Sequence, residues 1–321
     1  MAHARHPFRR HYAALLNGAF LLAVAVASAS SWAFPAGSHS PASAPAPASA
    51  AEAAEIESLY MQRLQGNHTA EKVEAIFQQQ GLPTNAVVGE KAATDFIVLL
   101  ADTPADFLGR MIAVVRGAAE AGTIWPDAYV FLHVRLGQED MISLSTTQRL
   151  TTPELGAQIQ QLVQMDQLAY SRSDVSPKKV AQLEGQVGFG IQTILQEYGM
   201  PTYTMVGVPA AQAFFGLMNH QSNHVLDTVL PDLQQVLEQG EGDPRVFATL
   251  FDRMQMNQGD AQTYGTQLVC GKQAQLVAWK IYSPKHLDHR RAAYGLEPER
   301  CYLDEQLHHA QPCNNLALKK E

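Results

Sequence analysis

The sequence predicts a mainly α protein in which one helical unit occurs twice, in the manner of a helical repeat, with a small β-hairpin near the C-terminus. Three observations indicate this fold class. Apolar residues recur at helical spacing from Ile56 onward, an internal match relates the two halves of the chain, and two short runs of strand character flank Gly271 and Lys272. With 321 residues and 46% hydrophobic content, the chain has enough apolar side chains for a packed core.

The first 33 residues have the features of a secretory signal peptide. Arg5, Arg9 and Arg10 precede two apolar runs, and small residues suited to cleavage follow between about Ser28 and Phe34. These runs fall short of the roughly 20 apolar residues of a spanning helix. We therefore predict a periplasmic or secreted protein without stable membrane insertion after signal cleavage, and an uncleaved anchor is the less favoured alternative.

A linker is predicted at residues 34–54, because Gly37 to Ala54 are almost wholly Pro, Ala, Ser and Gly. Such a composition buries too little apolar surface to offset the entropy of the chain. Ordered structure should begin where Ile56, Leu59 and Leu64 recur at helical spacing. The remaining chain divides into a degenerate helical unit, a second helical unit with the hairpin, and a flexible tail, at 55–150, 151–310 and 311–321.

The internal repeat is visible when Gly81 is aligned with Gly199, an offset of 118 residues without a gap. In each copy a helix ends at Gly-x-Pro-Thr, an extended Val-Gly connection follows, and an Ala-Ala pair lies in the next helix. Glycine favours the end of a helix and proline prevents its continuation. Because each copy buries its apolar stripe mainly against a partner, we expect the two copies to pack together.

Local signals predict the elements that follow. A capping box at Thr151 to Glu154 and the pair Ser176-Pro177 each mark the start of a helix. The expected elements are helices at Pro153 to Tyr170 and Pro177 to Tyr198, strands at Tyr264 to Val269 and Gln275 to Ile281, and short helices at Leu287 to Tyr294 and Pro298 to His309.

The charge balance excludes one class of partner. Without the three arginines of the predicted signal peptide, 20 basic side chains remain against 31 acidic ones, a net charge of −11. A chain of this acidity is not expected to bind nucleic acid.

The three cysteines are Cys270, Cys301 and Cys313. In an exported protein one disulfide is expected, which leaves one thiol over. All three pairings stay open, because connectivity depends on geometry. A zinc site formed with His308 and His309 is the alternative, although no C-x-x-C spacing supports it.

The two copies differ in their polar residues, and this asymmetry indicates where a site lies. His220 stands where the first copy has Asp102, and Asp252 stands where it has Val134. A duplicated copy is free to lose functional residues while it keeps those that pack. We therefore predict that the site lies between Val187 and Leu296 and that the first copy is a scaffold.

A set of motifs recurs in order in the second half: Gly199-x-Pro201-Thr202, Val206-Gly207, His220, Asp252-Arg253, Tyr264-Gly265-Thr266-Gln267, Arg290-Arg291 and Gly295-Leu296. This set resembles the bacterial domain-of-unknown-function family 6624, over about residues 187–304. The resemblance implies no particular activity, because the family has none assigned. One departure from the family pattern weakens an enzymatic hypothesis. The pattern resembles His-Ala-Asp-His-Asp at this point, whereas Gln221-Ser222-Asn223-His224 follows His220 here, so acidic groups are lost.

These residues could carry chemistry in two ways. In the first, His220 is a general base oriented by the Asp252 carboxylate. The ligand-binding residues of that site would be Arg253, Tyr264, Gln267, Arg290 and Arg291, whose guanidinium groups suit phosphate or carboxylate. In the second, His220, His224 and Asp227 lie at i, i+4 and i+7 and hold a metal from one helix face.

A structural role is the alternative to both arrangements, and it is the one we favour. Asp252, Arg253 and Arg290 would then form a buried ion-pair network that holds the hairpin to the helices. Arg253 is matched by Arg135 in the first copy, which also indicates a structural arginine.

We predict an exported helical protein that binds a small anionic ligand or another exported protein in its second repeat. The alternative is a hydrolase, with or without a metal, centred on His220 and Asp252, and the sequence names no cofactor. A structural or inhibitory role is the third hypothesis. The hydrolase hypothesis requires His220 within hydrogen-bond reach of a carboxylate and facing a cleft.

Overall fold

A capped helix begins the part of the chain that the structure, a computed structural model, describes. The described residues are 49–147, 149–170, 175–271 and 275–309. Ser49 accepts a hydrogen bond from the Glu52 N–H at 3.3 Å, and helix α1 follows at Ala50–Leu64. The helix includes residues 50–54, which their composition had placed in the linker, because alanine has the highest helix propensity and Ser49 supplies an N-cap.

The first unit is built around a buried helix. After α1 come α2 (Ala70–Gln80), α3 (Asn85–Val88), α4 (Glu90–Leu100), α5 (Ala105–Glu120) and α6 (Ala128–Thr147). Helix α4 is buried from Ala92 to Leu100 and packs against α1, whereas α5 packs against α6. The apolar spacing of α1, with Ile56, Leu59 and Leu64 all buried, provides the face that covers α4.

The second unit has helices of the same order. They are α7 (Pro153–Tyr170), α8 (Pro177–Tyr198), α9 (Tyr203–Val206), α10 (Val208–Leu217), a 3-10 turn (Met218–His220), α11 (Asn223–Glu238) and α12 (Pro244–Asn257). Helix α7 packs against α8 and α10, and α11 packs against α12. The bounds of α7 and α8 agree with the prediction, because the starts of these helices depend on local capping.

Backbone geometry in the two units agrees at the offset of 118 residues. Gly81 and Gly199 have φ of 79° and 74°, each with ψ of −161°. Gly89 and Gly207 have φ of 83° and 80° with ψ of 156° and 157°, a region open essentially to glycine. The same offset relates the bounds of α5 to those of α11.

The helices that open the two units also occupy equivalent places. The Ser49 N–H donates to the Val87 carbonyl at 2.8 Å, and the Thr152 N–H donates to the Met205 carbonyl at 2.9 Å. Val87 and Met205 are 118 residues apart, whereas Ser49 and Thr152 are 103 apart. Helix α7 therefore corresponds to α1, with a shorter offset than the rest of the unit.

The hairpin is shorter than predicted. Strands β1 (Leu268–Cys270) and β2 (Leu276–Ala278) pair antiparallel. The predicted strands had extended outward to Tyr264 and Ile281. Beyond the ladder the pairing becomes irregular. Gln262 forms an isolated bridge with Ile281, and the buried Gln262 amide donates to the carbonyls of Gln267 and Trp279.

After the hairpin the chain returns to the first unit. A 3-10 turn (Pro284–His286) leads to α13 (Leu287–Ala292) and α14 (Glu299–His309). Helix α13 packs against α6, and Ala292 and Cys301 lie in the apolar core of the first unit. The Tyr60 hydroxyl of α1 donates to the Cys301 carbonyl at 3.2 Å. The last helices of the predicted second unit thus complete the first one.

The predicted fold class is confirmed as mainly α with a small hairpin near the C-terminus. Over the described ranges, none of the helices combines the length and the apolar character of a membrane span.

Candidate functional site

Asp252 organises the loop that precedes the hairpin. It lies on α12 with no exposed surface. Its Oδ1 accepts the N–H groups of Thr263 at 2.7 Å and Tyr264 at 2.9 Å, and its Oδ2 accepts the N–H and the hydroxyl of Thr266, both at 2.9 Å. Burial raises the pKa of the Asp252 carboxyl, and the hydrogen bonds from Thr266 and Tyr264 oppose this effect. Both oxygens of Asp252 are thus committed to the loop.

Arg290 and Arg291 hold the carbonyl groups of the same loop. Arg290 Nε donates to the Thr263 carbonyl at 2.8 Å. Arg291 has no exposed surface, and its Nη1 donates to the Tyr264 carbonyl at 2.6 Å while its Nε donates to the Glu297 carbonyl at 2.6 Å. Burial lowers the pKa of both guanidinium groups. Carbonyl partners offset part of the cost of burying these charges.

The residues predicted to bind a ligand meet here, but their polar groups serve the fold. Gln267 donates its amide N–H to a carbonyl of α12 at 3.1 Å, and the ring of Tyr264 lies 4.6 Å from the ring of Tyr294. Arg253 is half-buried, and its Nε has no hydrogen bond within the described residues. The ion-pair network predicted among Asp252, Arg253 and Arg290 is not formed among the described residues, because Asp252 and Arg290 bind backbone groups of the loop instead.

His220 lies apart from this cluster, beside α7. Its Nδ1 is 2.9 Å and 3.1 Å from the two carboxylate oxygens of Asp166, and its side chain is 37% exposed. The structure therefore does not form the His220–Asp252 pair of the hydrolase hypothesis. The physical reason is that Asp252 faces the hairpin loop, whose N–H groups occupy both of its oxygens.

The contact between His220 and Asp166 has a counterpart in the first unit. Asp102 stands 118 residues before His220, and Arg63 stands 103 residues before Asp166. Arg63 Nε donates to Asp102 Oδ2 at 2.6 Å. In each unit the pair joins the first helix to the equivalent position after the Ala-Ala helix. The basic residue lies on the first helix in one unit (Arg63) and at the later position in the other (His220). This equivalence favours a positioning role for His220.

The three predicted metal ligands do not share a helix face. His220 ends the 3-10 turn, Gln221 is extended with φ −86° and ψ 158°, and α11 starts only at Asn223. His224 and Asp227 lie on α11, so the spacing that assumed one continuous helix does not apply. In the part of the chain that the structure describes, no three His, Cys, Asp or Glu side chains are grouped to hold a metal ion.

The cysteines differ in their states. Cys270 in β1 is disulfide-bonded, and Cys301 is a free thiol in the core of the first unit. Cys313 lies outside the described residues. As a free thiol, Cys301 is not part of a disulfide. Burial raises the pKa of this thiol to about 12, so it is not a reactive thiolate at neutral pH.

Two adjoining cavities lie where the C-terminal helices meet the first unit, and Arg63, Asp102 and Glu305 line both of them. The first, which we name the loop cavity, has a volume of about 410 Å³ and is bounded by residues 64–70. The second, which we name the arginine cavity, has a volume of about 240 Å³ and takes its walls from both halves of the chain. Small-molecule sites are concave and typically have volumes of about 300–1,000 Å³, a range that includes the loop cavity and lies just above the arginine cavity.

Charged side chains of both signs line the arginine cavity. The basic ones are Arg63, Arg135 and Arg245, and the acidic ones are Asp102, Glu297 and Glu305. Arg63 is fully engaged, since it pairs with Asp102 at 2.6 Å and lies 3.6 Å from Glu305. Arg245 is held by Asp243, with Nη2 at 2.6 Å from Oδ2.

Arg135 is loosely paired by comparison. Its side chain is only 19% exposed, yet its Nη2 lies 3.7 Å from Asp102 Oδ1, and it makes no hydrogen bond within the described residues. Burial lowers the pKa of Arg135, and the nearby positive charge of Arg245 lowers it further. A buried guanidinium without partners can bind carboxylate or phosphate through two parallel hydrogen bonds.

The first unit was predicted to be a scaffold, and it supplies part of the wall of the arginine cavity. Arg63, Asp102 and Arg135 belong to the first unit, and all three line the cavity. Arg135 had been given a structural role because Arg253 matches it in the second copy. The C-terminal segment gives Arg135 a different environment, because Glu297 of that segment lines the same cavity.

The model of DUF6624, a family of unknown function, matches residues 154–311, a longer stretch than the motifs had indicated. No curated protein and no solved structure matches the chain. The match starts within α7 and includes Arg245, Glu297 and Glu305 of the arginine cavity, whereas Arg63 and Arg135 precede it. Residues 154–311 therefore match DUF6624, the family that the motifs of the second half resemble.

Proposed function

We propose that the protein binds a small anionic ligand in the arginine cavity, between its two halves. The observation that carries this proposal is Arg135, a largely buried guanidinium without a hydrogen bond among the described residues. Burial of a charge costs several kcal/mol unless partners offset that cost. A carboxylate or phosphate in the cavity would supply the hydrogen-bond acceptors that Arg135 lacks among the described residues.

Arg245 supports the proposal from within the same cavity. Its Nε and Nη2 donate to Asp243 at 3.0 Å and 2.6 Å, which fixes the plane of the guanidinium. Its charge acts on Arg135, so two positive groups lie near each other despite their repulsion. An anion between them would relieve this repulsion.

The position of the cavity distinguishes this proposal from the sequence-based one. A ligand had been expected in the second repeat, whereas the arginine cavity draws its walls from both halves of the chain. Neither His220 nor Asp252 lines it, so no general base is assigned and hydrolysis is not proposed.

Calorimetric titration of the purified protein with acetate, succinate and inorganic phosphate tests the proposal. We expect Arg135→Gln to weaken binding about ten-fold or more, since a hydrogen bond to a charged group contributes roughly 1.5–3 kcal/mol. Arg116→Gln is the control, because Arg116 is exposed, pairs with Glu120 and does not line the arginine cavity. Unchanged affinity in Arg135→Gln, or no binding of any of the three anions at millimolar concentration, would contradict the proposal.

We further infer that the protein is exported and that its units arose by duplication. Export is supported by the basic and apolar pattern of residues 1–33 and by the disulfide-bonded Cys270. Duplication is supported by the matching backbone angles of Gly89 and Gly207. Mass spectrometry of the protein from fractionated cells should find an N-terminus between about Ser28 and Phe34 in the exported fraction. An intact N-terminus in the cytoplasmic fraction would exclude export.

A further inference from the structure

We infer that the ligand of the arginine cavity is zwitterionic, with an ammonium group and a carboxylate, as in a free amino acid or a short peptide. This inference rests on the proposed function and adds the class of ligand. It is carried by Glu297, a half-buried carboxylate that lines the same cavity as Arg135.

The Glu297 carboxylate is unpaired in the described part of the chain. It has no hydrogen bond there and lies beyond 4.0 Å from every described basic nitrogen, the limit for an ion pair. Its charge nevertheless raises the pKa of Arg63 and Arg245 and acts in the same direction on Arg135, so all three guanidinium groups lie near it. A loosely paired cation and an unpaired anion therefore share one cavity without contact.

The backbone explains why Glu297 does not collapse onto Arg135. The Glu297 carbonyl accepts from Arg291 Nε at 2.6 Å, and the neighbouring Leu296 N–H donates to the Arg291 carbonyl at 3.0 Å. Arg291 itself has no exposed surface and is fixed by its bonds to the hairpin loop. The backbone of the segment that carries Glu297 is thus held in place on one side of the cavity.

Charge complementarity then selects the ligand. A simple anion at Arg135 would lose part of its attraction to the guanidinium through repulsion by Glu297, and a simple cation at Glu297 would lose part of its attraction through repulsion by Arg135. The cavity is lined by three basic and three acidic side chains, so its formal charge is zero. A molecule that carries both charges satisfies both walls at once, and a volume of about 240 Å³ accommodates an amino acid.

Blocked analogues separate this inference from the proposed function. Glycine, β-alanine and γ-aminobutyrate carry both charges at increasing separation, whereas their N-acetyl forms keep only the carboxylate and their amides keep only the ammonium group. In calorimetric titrations of the wild-type protein, we expect at least one zwitterion to bind about ten-fold or more tightly than both of its blocked forms. Equal or tighter binding of every N-acetyl form would overturn the inference and leave anion binding intact.

The variant Glu297→Gln supplies an independent arm. It keeps the shape of the side chain and removes the charge, so we expect the preference for the zwitterion to disappear while affinity for the N-acetyl form is kept or increased. Glu139→Gln, an exposed change on α6, should leave both affinities unchanged. If Glu297→Gln keeps the wild-type preference, the inference is wrong. The titrations of wild-type protein stand by themselves if this variant does not fold.

Discussion

Replacing Asp252 with asparagine should lower the free energy of unfolding by about 2–4 kcal/mol, and the structure locates the loss. The Asp252 carboxylate has no exposed surface and accepts the N–H groups of Thr263, Tyr264 and Thr266. Every one of these partners is a donor. Asparagine keeps one acceptor oxygen and places an NH₂ group at the position of the other.

The magnitude follows from the atoms on each side of the carboxylate. Oδ1 accepts from Thr263 and Tyr264, so the least disruptive amide orientation keeps its oxygen there and directs its nitrogen at Thr266. The Thr266 hydroxyl can rotate to accept, but its N–H then faces a donor. One buried unsatisfied donor costs roughly 1–3 kcal/mol, and each bond that loses its charged acceptor weakens by about 1 kcal/mol. Asparagine carries no charge, so it avoids the free-energy cost of burying a carboxylate, the effect that raises the pKa of Asp252. This gain offsets part of the loss.

Urea unfolding followed by circular dichroism measures the change. Asp232→Asn makes the same chemical change at an exposed position on α11, and we expect it to alter the free energy of unfolding by less than about 0.5 kcal/mol. The m-values of both variants should match the wild type. If the two variants are equally stable, the carboxylate of Asp252 does not hold the loop and the argument for a structural cluster is wrong.

Three further predictions concern the packing around the site. Arg291→Lys should destabilise the protein by about 2–4 kcal/mol in the same urea assay, because one ammonium group cannot reach both the Tyr264 and the Glu297 carbonyls. A wild-type unfolding midpoint would contradict this prediction. Gly207→Ala should lower stability by about 1–3 kcal/mol because its φ of 80° and ψ of 157° exclude alanine, whereas Gly185→Ala, on an open helical face, should raise stability by up to about 1 kcal/mol. The Cys301 thiol, with its pKa raised from 9.0 to about 12, should not react with a thiol reagent at pH 8 until the chain unfolds. Since the unfolded thiol loses its proton first, stability should fall as the pH rises above about 9, and less so in Cys301→Ala.

Local signals in the sequence predicted the helices well. The pair Ser176-Pro177 fixed the start of α8, and the Ser176 side chain accepts from the Lys179 N–H as a cap should. The two glycines at Gly89 and Gly207 adopt backbone angles that other residues avoid, which is why the same motif stands out in both copies. These features depend on a few neighbouring residues, so a single sequence contains them.

Long-range packing was not accessible in the same way. The sequence predicted helices near 287–294 and 298–309 but not that they complete the core of the first unit. That outcome depends on contacts such as Arg300 with Asp95, at 2.6 Å and 205 residues apart. No periodicity or motif reports which surface a short terminal helix covers.

The structure brings only part of the predicted polar cluster together, since His220 lies beside Asp166 instead. Asp252, Arg290 and Arg291 do meet, and the donors and acceptors of the loop use them. Charged residues in a motif are equally suited to satisfying backbone groups and to binding a ligand. The distinction depends on whether an open cavity faces them, which only the folded structure decides.

Comparison of the two units shows what sets the surroundings of Arg135 apart from those of Arg253. The two arginines are equivalent at the offset of 118 residues. Among the described residues, Arg135 has only a long ion pair with Asp102, and Arg253 Nε has no hydrogen bond. The chain continues past the second unit, and its C-terminal segment brings Glu297 and Glu305 to the first one. On the proposed function, the difference between the two units depends on what covers each arginine, rather than on which unit kept its polar residues. It follows that Arg135→Gln should affect ligand binding, whereas Arg253→Gln should leave it unchanged.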